Sequence, residues 1–199
     1  MTSNFSRSVK NIVFTMFCQT CTLLLSFVSR SVFINFLSTE YLGVNGLFSN
    51  VLTLLSFTEL GIGNVMLYSL YEPIKRNDTK KINSLLLLYK KAYHIIAFVM
   101  LTLGLLITPF ITYLIKDTPN IPESIHFLFV LYLLNTVSSY LCTYKKSMLL
   151  ADQKSYVNNL TTNFAHIILM IVQVIVLYVT QSFILYLVCQ IICTLMINV

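Results

Sequence analysis

Leu42–Tyr71 reads LGVNGLFSNVLTLLSFTELGIGNVMLYSLY, and Pro73 follows closely. Its thirty residues hold one charge, Glu59, and four of the chain's five glycines: Gly43, Gly46, Gly61 and Gly63. A helix of that length rises about 45 Å, more than the roughly 30 Å of bilayer hydrocarbon. The stretch therefore reads as a membrane-crossing helix with tilt or a kink. Gly61-Ile62-Gly63, just after the carboxylate, is where it is expected to bend or to pack closely. Glycine weakens a helix by up to about 1 kcal/mol and lets backbones approach. Pro73 is expected to stop the helix, because proline lacks the N–H and clashes with the preceding turn.

The rest of the chain repeats this character. Of 199 residues, 57% are hydrophobic and 10% charged, where soluble domains carry about 25% charged. Mean hydropathy is +0.80. Such a chain belongs in a bilayer, where only helices and closed barrels satisfy the backbone. The apolar runs are long and show no alternation of period two, so the fold class is all-α: a polytopic transmembrane helix bundle of about six spans. The expected spans are 11–36, 42–71, 85–114, 124–144, 157–179 and 183–199. Short polar links separate them, and Ser38-Thr39-Glu40 and Thr180-Gln181-Ser182 read as tight turns.

The net charge of +6 follows from topology and does not point to nucleic acid. Arg7, Lys10, Lys75, Arg76, Lys80, Lys81, Lys90, Lys91, Lys145, Lys146 and Lys154 fall on one set of alternating ends, Arg30 and Lys116 on the other. Eleven against two places the N-terminus in the cytoplasm by the positive-inside rule. Tyr89, Tyr93, Tyr144 and Tyr156 sit near the basic ends, as an interfacial aromatic belt would. The cysteines, Cys18, Cys21, Cys142, Cys189 and Cys193, all lie in apolar runs and read as small buried hydrophobes. Cys18-x-x-Cys21 has no second pair and no histidine beside it, so no metal or other cofactor is expected. No Walker A, HExxH or Ser-His-Asp set occurs, and the chain does not read as an enzyme.

Three residues stand out as candidates for lining a substrate cavity. Arg30 interrupts the first span about six residues from its end, roughly 9 Å deep. Either it faces a cavity, where a guanidinium attracts phosphate or another anion, or it snorkels to the surface. Glu59 lies about 15 Å deeper, too far from Arg30 for a direct ion pair. Two readings of it stand: a protonatable cavity group or ion ligand, and a neutral carboxyl bonded within the bundle. Asn64 is the third; with Asn35, Gln19, Asn135 and Gln173 it either borders a polar route or bonds helix to helix.

Several stretches resemble one family. They are Phe27–Arg30 with Phe33–Phe36; EYLGVNGLFSNVLTLLSFTELGIGNVMLYSLYEPI from Glu40; YKKAYHI from Tyr89; Pro109-Phe110; and SYLCTYKKSMLLADQKSYV from Ser139. Together they resemble the polysaccharide-biosynthesis, Wzx-like oligosaccharide-lipid flippases of the MOP superfamily, which also holds the MATE exporters. The resemblance implies two lobes of six helices that rock around a central cavity in the bacterial inner membrane. It implies transport of undecaprenyl-pyrophosphate-linked repeat units for capsule, O-antigen or related polymers. Membrane lipids, and the polymerase and glycosyltransferases of the same pathway, would be its partners. Arg30 matches, in kind, the first-helix arginines thought to meet the pyrophosphate. The chain spans only about the first lobe and ends within an apolar run, so it reads as the amino-terminal part of a longer transporter. The rival readings are a MATE-like cation or drug exporter and a non-transporting scaffold of a glycan-assembly complex.

Overall fold

The structure, a computed structural model, describes residues 2–59, 61–115, 119–141, 143–151 and 155–198, with side chains except at 2–15, 17–18, 58, 149–150, 155–157 and 198. All regular structure among these residues is helical: α1 (Thr2–Leu37), α2 (Thr39–Leu55), α3 (Ile62–Lys75), α4 (Thr79–Ile107), α5 (Ile125–Leu141), α6 (Thr143–Ala151), α7 (Ser155–Thr180) and α8 (Phe183–Asn198). Three stretches, Gln19–Leu37, Thr79–Leu114 and Asn158–Thr180, are long and apolar enough to cross a bilayer, and Ile125–Leu141 and Phe183–Ile197 are shorter apolar helices. The protein is a helical membrane bundle.

The deciding stretch is not one bent helix. α2 ends at Leu55, a 3-10 turn covers Ser56–Glu59, and α3 begins at Ile62 after Gly61, whose φ is +83°. Gly61 adopts a left-handed backbone that a Cβ would oppose. Nor does Pro73 end α3: it lies buried inside the last turn. The stop comes at Asn77, with φ +52°. Its N–H bonds the Ile74 carbonyl (3.1 Å), and the Asp78 N–H reaches back to Pro73 (2.9 Å). These are the paired bonds of a Schellman cap, with asparagine in the left-handed position. Asp78 then caps α4, its Oδ1 accepting from the Lys81 N–H at 3.0 Å. The expected polar link over 72–83 thus shrinks to a three-residue turn. Likewise the polar link expected after 144 is largely helical, as α6.

Close packing follows the helix order only in part. α1 packs chiefly on α7, α4 on α5, α8 on both α5 and α7, and α3 on α4 and α6. Phe48, Met66, Leu70, Tyr93, Met100 and Phe129 are among the fully buried side chains. Gly104 permits the α4–α5 contact, since a Cβ there would overlap the Leu133 methyls. The outside is apolar: Phe27 is 74% exposed and Phe98 68%. In water so large a greasy exterior would drive aggregation; in lipid it is the expected surface.

One end of the bundle is sewn together by aromatic rings. Phe183 lies edge-on to Tyr41 (4.9 Å) and Phe33 (5.7 Å) and stacked on Tyr186 (6.1 Å). The Tyr41 hydroxyl donates to Glu123, tying the start of α2 to the segment before α5. Burial first, then the Glu123 carboxylate, pushes the Tyr41 phenol above its ordinary value. The opposite end carries the exposed Lys75, Arg76, Lys80 and Lys81. Arg76 and Glu72 form an exposed pair at 2.6 Å, of small energetic weight. Lys116, Cys142, Lys154 and the side chains of Arg7, Lys10, Cys18 and Tyr156, used in the sequence reading, lie outside the described residues.

Two of the tyrosines assigned to an interfacial belt point inward instead. Tyr89 is buried and shares a 2.7 Å hydrogen bond with Ser69. Tyr93 is buried and donates to Glu59 Oε1 at 3.0 Å. A phenol inside an apolar bundle needs such a partner, and here α3 and the turn before it supply one.

Candidate functional site

Arg30 lines a cavity of about 330 Å³ between α1, α2, α7 and α8. Its neighbours there include Ser26, Ser29, Asn45, Ser49, Gln173 and Tyr186. The polar lining follows from helical spacing. Ser26, Ser29, Arg30 and Phe33 share one face of α1, and Leu42, Asn45, Gly46 and Ser49 one face of α2, each at i, i+3, i+4, i+7. Among the described residues no acidic side chain lines the cavity and no carboxylate pairs with Arg30.

Hydrogen bonds fix how the neutral groups present themselves. The Tyr132 hydroxyl donates to Asn45 Oδ1 at 2.8 Å, and Ser49 lies at 3.4 Å from the same oxygen. With its oxygen occupied, Asn45 keeps its NH₂ for donation. Buried Gln173 donates weakly to the Tyr186 carbonyl at 3.4 Å, which pins α7 to α8. A guanidinium with amide donors around it suits an anion, because among the described residues nothing negative competes for the same space.

Glu59 and Asn64 line a different cavity, of about 290 Å³, with Ser56, Gly61 and Gly63. No described residue lines both cavities. The three sequence candidates therefore divide: Glu59 joins Asn64 at the α2–α3 break, and Arg30 stands apart. Gly63 leaves room beside the Glu59–Tyr93 bond. A Cβ on Gly63 would come within 3.3 Å of the Tyr93 hydroxyl and 3.7 Å of Glu59 Oε1. Tyr140 is a second phenol interacting with Glu59 and Ser56.

The other polar candidates separate in the same way. Asn135 bonds helix to helix, accepting from Thr194 at 2.8 Å. Gln19 and Asn35 are exposed, and neither lines the two cavities. Cys21, Cys189 and Cys193 are free thiols, half-buried where full burial was expected. Ser26, Ser29, Asn45, Ser49 and Tyr186 were not singled out from the sequence. The signal was present in the periodic polar positions of α1 and α2. Comparison with family models, with curated proteins and with solved structures finds no match to this chain.

Proposed function

We propose that the chain forms a lobe of a flippase that moves a pyrophosphate-linked oligosaccharide lipid across the bacterial inner membrane. Its basic end would lie in the cytoplasm. The observation that carries the reading is the Arg30 cavity: a cation and neutral polar groups in a space that no described carboxylate lines, within an apolar bundle. A cation set within an apolar membrane helix and lining a polar cavity is a functional group by default in a membrane protein. The cavity suits the diphosphate rather than the sugars, which would need the wider space between two lobes. The resemblance in the Glu40–Ile74 and Ser139–Val157 stretches points to the same substrate class. A cation exporter would be served poorly by this cavity, whose one charge is positive.

The test is complementation of a flippase-deficient, capsule-negative strain with the full reading frame that encodes this chain. Arg30→Ala should abolish surface polymer at an unchanged level of protein in the membrane, and Arg30→Lys should retain part of it, because the charge persists without the planar fork. Full export by Arg30→Ala would overturn the proposal. Dye-efflux assays on the same strains would reveal cation export instead.

A further inference from the structure

The Glu59 cavity is not absorbed by that reading. Its setting is unusual for a bundle this apolar. α2 and α3, of 17 and 14 residues, each rise only about 25 and 21 Å. Neither half crosses the hydrocarbon alone, so the break between them lies at membrane depth. A broken helix in lipid leaves backbone groups without intrahelical partners, and such breaks are tolerated where they line a polar cavity. Here the break carries the one carboxylate of the stretch, with the Ser56 hydroxyl and Asn64 amide around the same space.

The surrounding groups place oxygen ligands for a cation beside the carboxylate. Tyr93 donates to Glu59 Oε1. The Ser56 hydroxyl donates to the Leu52 carbonyl at 2.9 Å, which leaves its oxygen to act as an acceptor beside Tyr140. The N-terminal amides of α3 stabilise negative charge at the break. The C-terminal carbonyls of α2 end in the same region and attract positive charge, as half-helix ends do in transporters.

We propose that the α2–α3 break is a binding site for one sodium ion, held by the Glu59 carboxylate with oxygens of Ser56, Asn64 and the turn backbone. The donor set is all oxygen, which suits a hard cation. One carboxylate neutralises a single charge. A divalent ion would leave a net positive charge at membrane depth, which is costly. A proton would use the carboxylate alone and leave the Ser56 and Asn64 oxygens that line the same cavity without a role. The site shares no described lining residue with the Arg30 cavity, so it stands whether or not that cavity receives a diphosphate.

The experiment is thermal unfolding of the full chain in detergent micelles, followed by far-ultraviolet circular dichroism. Sodium, potassium and choline chlorides are compared at equal ionic strength. Sodium at a hundredfold excess over its half-saturating concentration should raise the midpoint by about 5 °C or more relative to choline. Glu59→Gln should remove that shift, and Arg30→Ala should keep it. Equal midpoints in sodium and choline, an equal response to potassium, or a sodium shift that survives Glu59→Gln would each overturn the site. So would a midpoint that follows pH and ignores sodium. Should Glu59→Gln fail to fold, Asn64→Ala and Tyr93→Phe serve in its place. Each should raise the half-saturating sodium concentration severalfold, and no change in either variant counts against the site. Loss of surface polymer in Arg30→Ala with the sodium shift intact separates the two proposals.

Discussion

Gly104 sits where α4 and α5 touch, and its missing side chain sets how closely they approach. An alanine there would drive its Cβ into both methyls of Leu133, which is fully buried, so that side chain would have to shift within the packed core. Gly104→Ala should destabilise the bundle by about 1–3 kcal/mol, the usual range for overpacking. The check is thermal unfolding of the single variant beside Gly104→Ala combined with Leu133→Ala. The double variant should cost less than the two single losses added together, since the smaller residue relieves the clash. Additive losses would mean that the two positions do not press on one another. This glycine lies outside the glycine-rich stretch that dominates the sequence. Nothing local distinguishes it, because the clash depends on a side chain 29 positions away.

At the scale of the element, the turn between α3 and α4 is specified by Asn77 and Asp78. Asp78→Ala removes the acceptor for the Lys81 N–H and should cost about 1 kcal/mol. The same unfolding assay checks it, and Asp78→Asn should retain most of the stability. Helix positions were legible because long apolar runs have few alternatives. α7 and α8 start and stop within about two residues of the expected spans, with Gln181 turning the chain at φ +49°. The break after Leu55 was placed within a few residues by Gly61-Ile62-Gly63. The ends of α3 and α4 were not, because Pro73 weighs less near a C-terminus than an asparagine able to take the left-handed cap. The cavity was half legible. Arg30 stood out as a charge in an apolar run, while Asn45 and Ser49 needed the pairing of α1, α2, α7 and α8, which adjacent spans do not dictate. The inward turn of Tyr89 and Tyr93 likewise depended on partners in Ser69 and Glu59.

Among the described residues, the bundle has a greasy exterior and keeps the Arg30 and Glu59 hollows apart. Water should reach one and not the other kind of surface. In a background with the native cysteines replaced, Ser49→Cys, in the Arg30 cavity, should react with a hydrophilic maleimide. Leu54→Cys, whose parent side chain is 65% exposed on the apolar outside, should react on the order of tenfold more slowly, because thiolates form in water and not in hydrocarbon. Equal rates would mean that position 49 faces lipid. The packing of α1 carries one more consequence. Its main neighbour is α7, and the Arg30 cavity is completed by Met170, Gln173 and Tyr186 of α7 and α8. A ribosome delivers those residues well over a hundred positions after Arg30. The first helix is therefore made long before the walls that face its guanidinium, and the hollow exists only once the late helices have been inserted beside it.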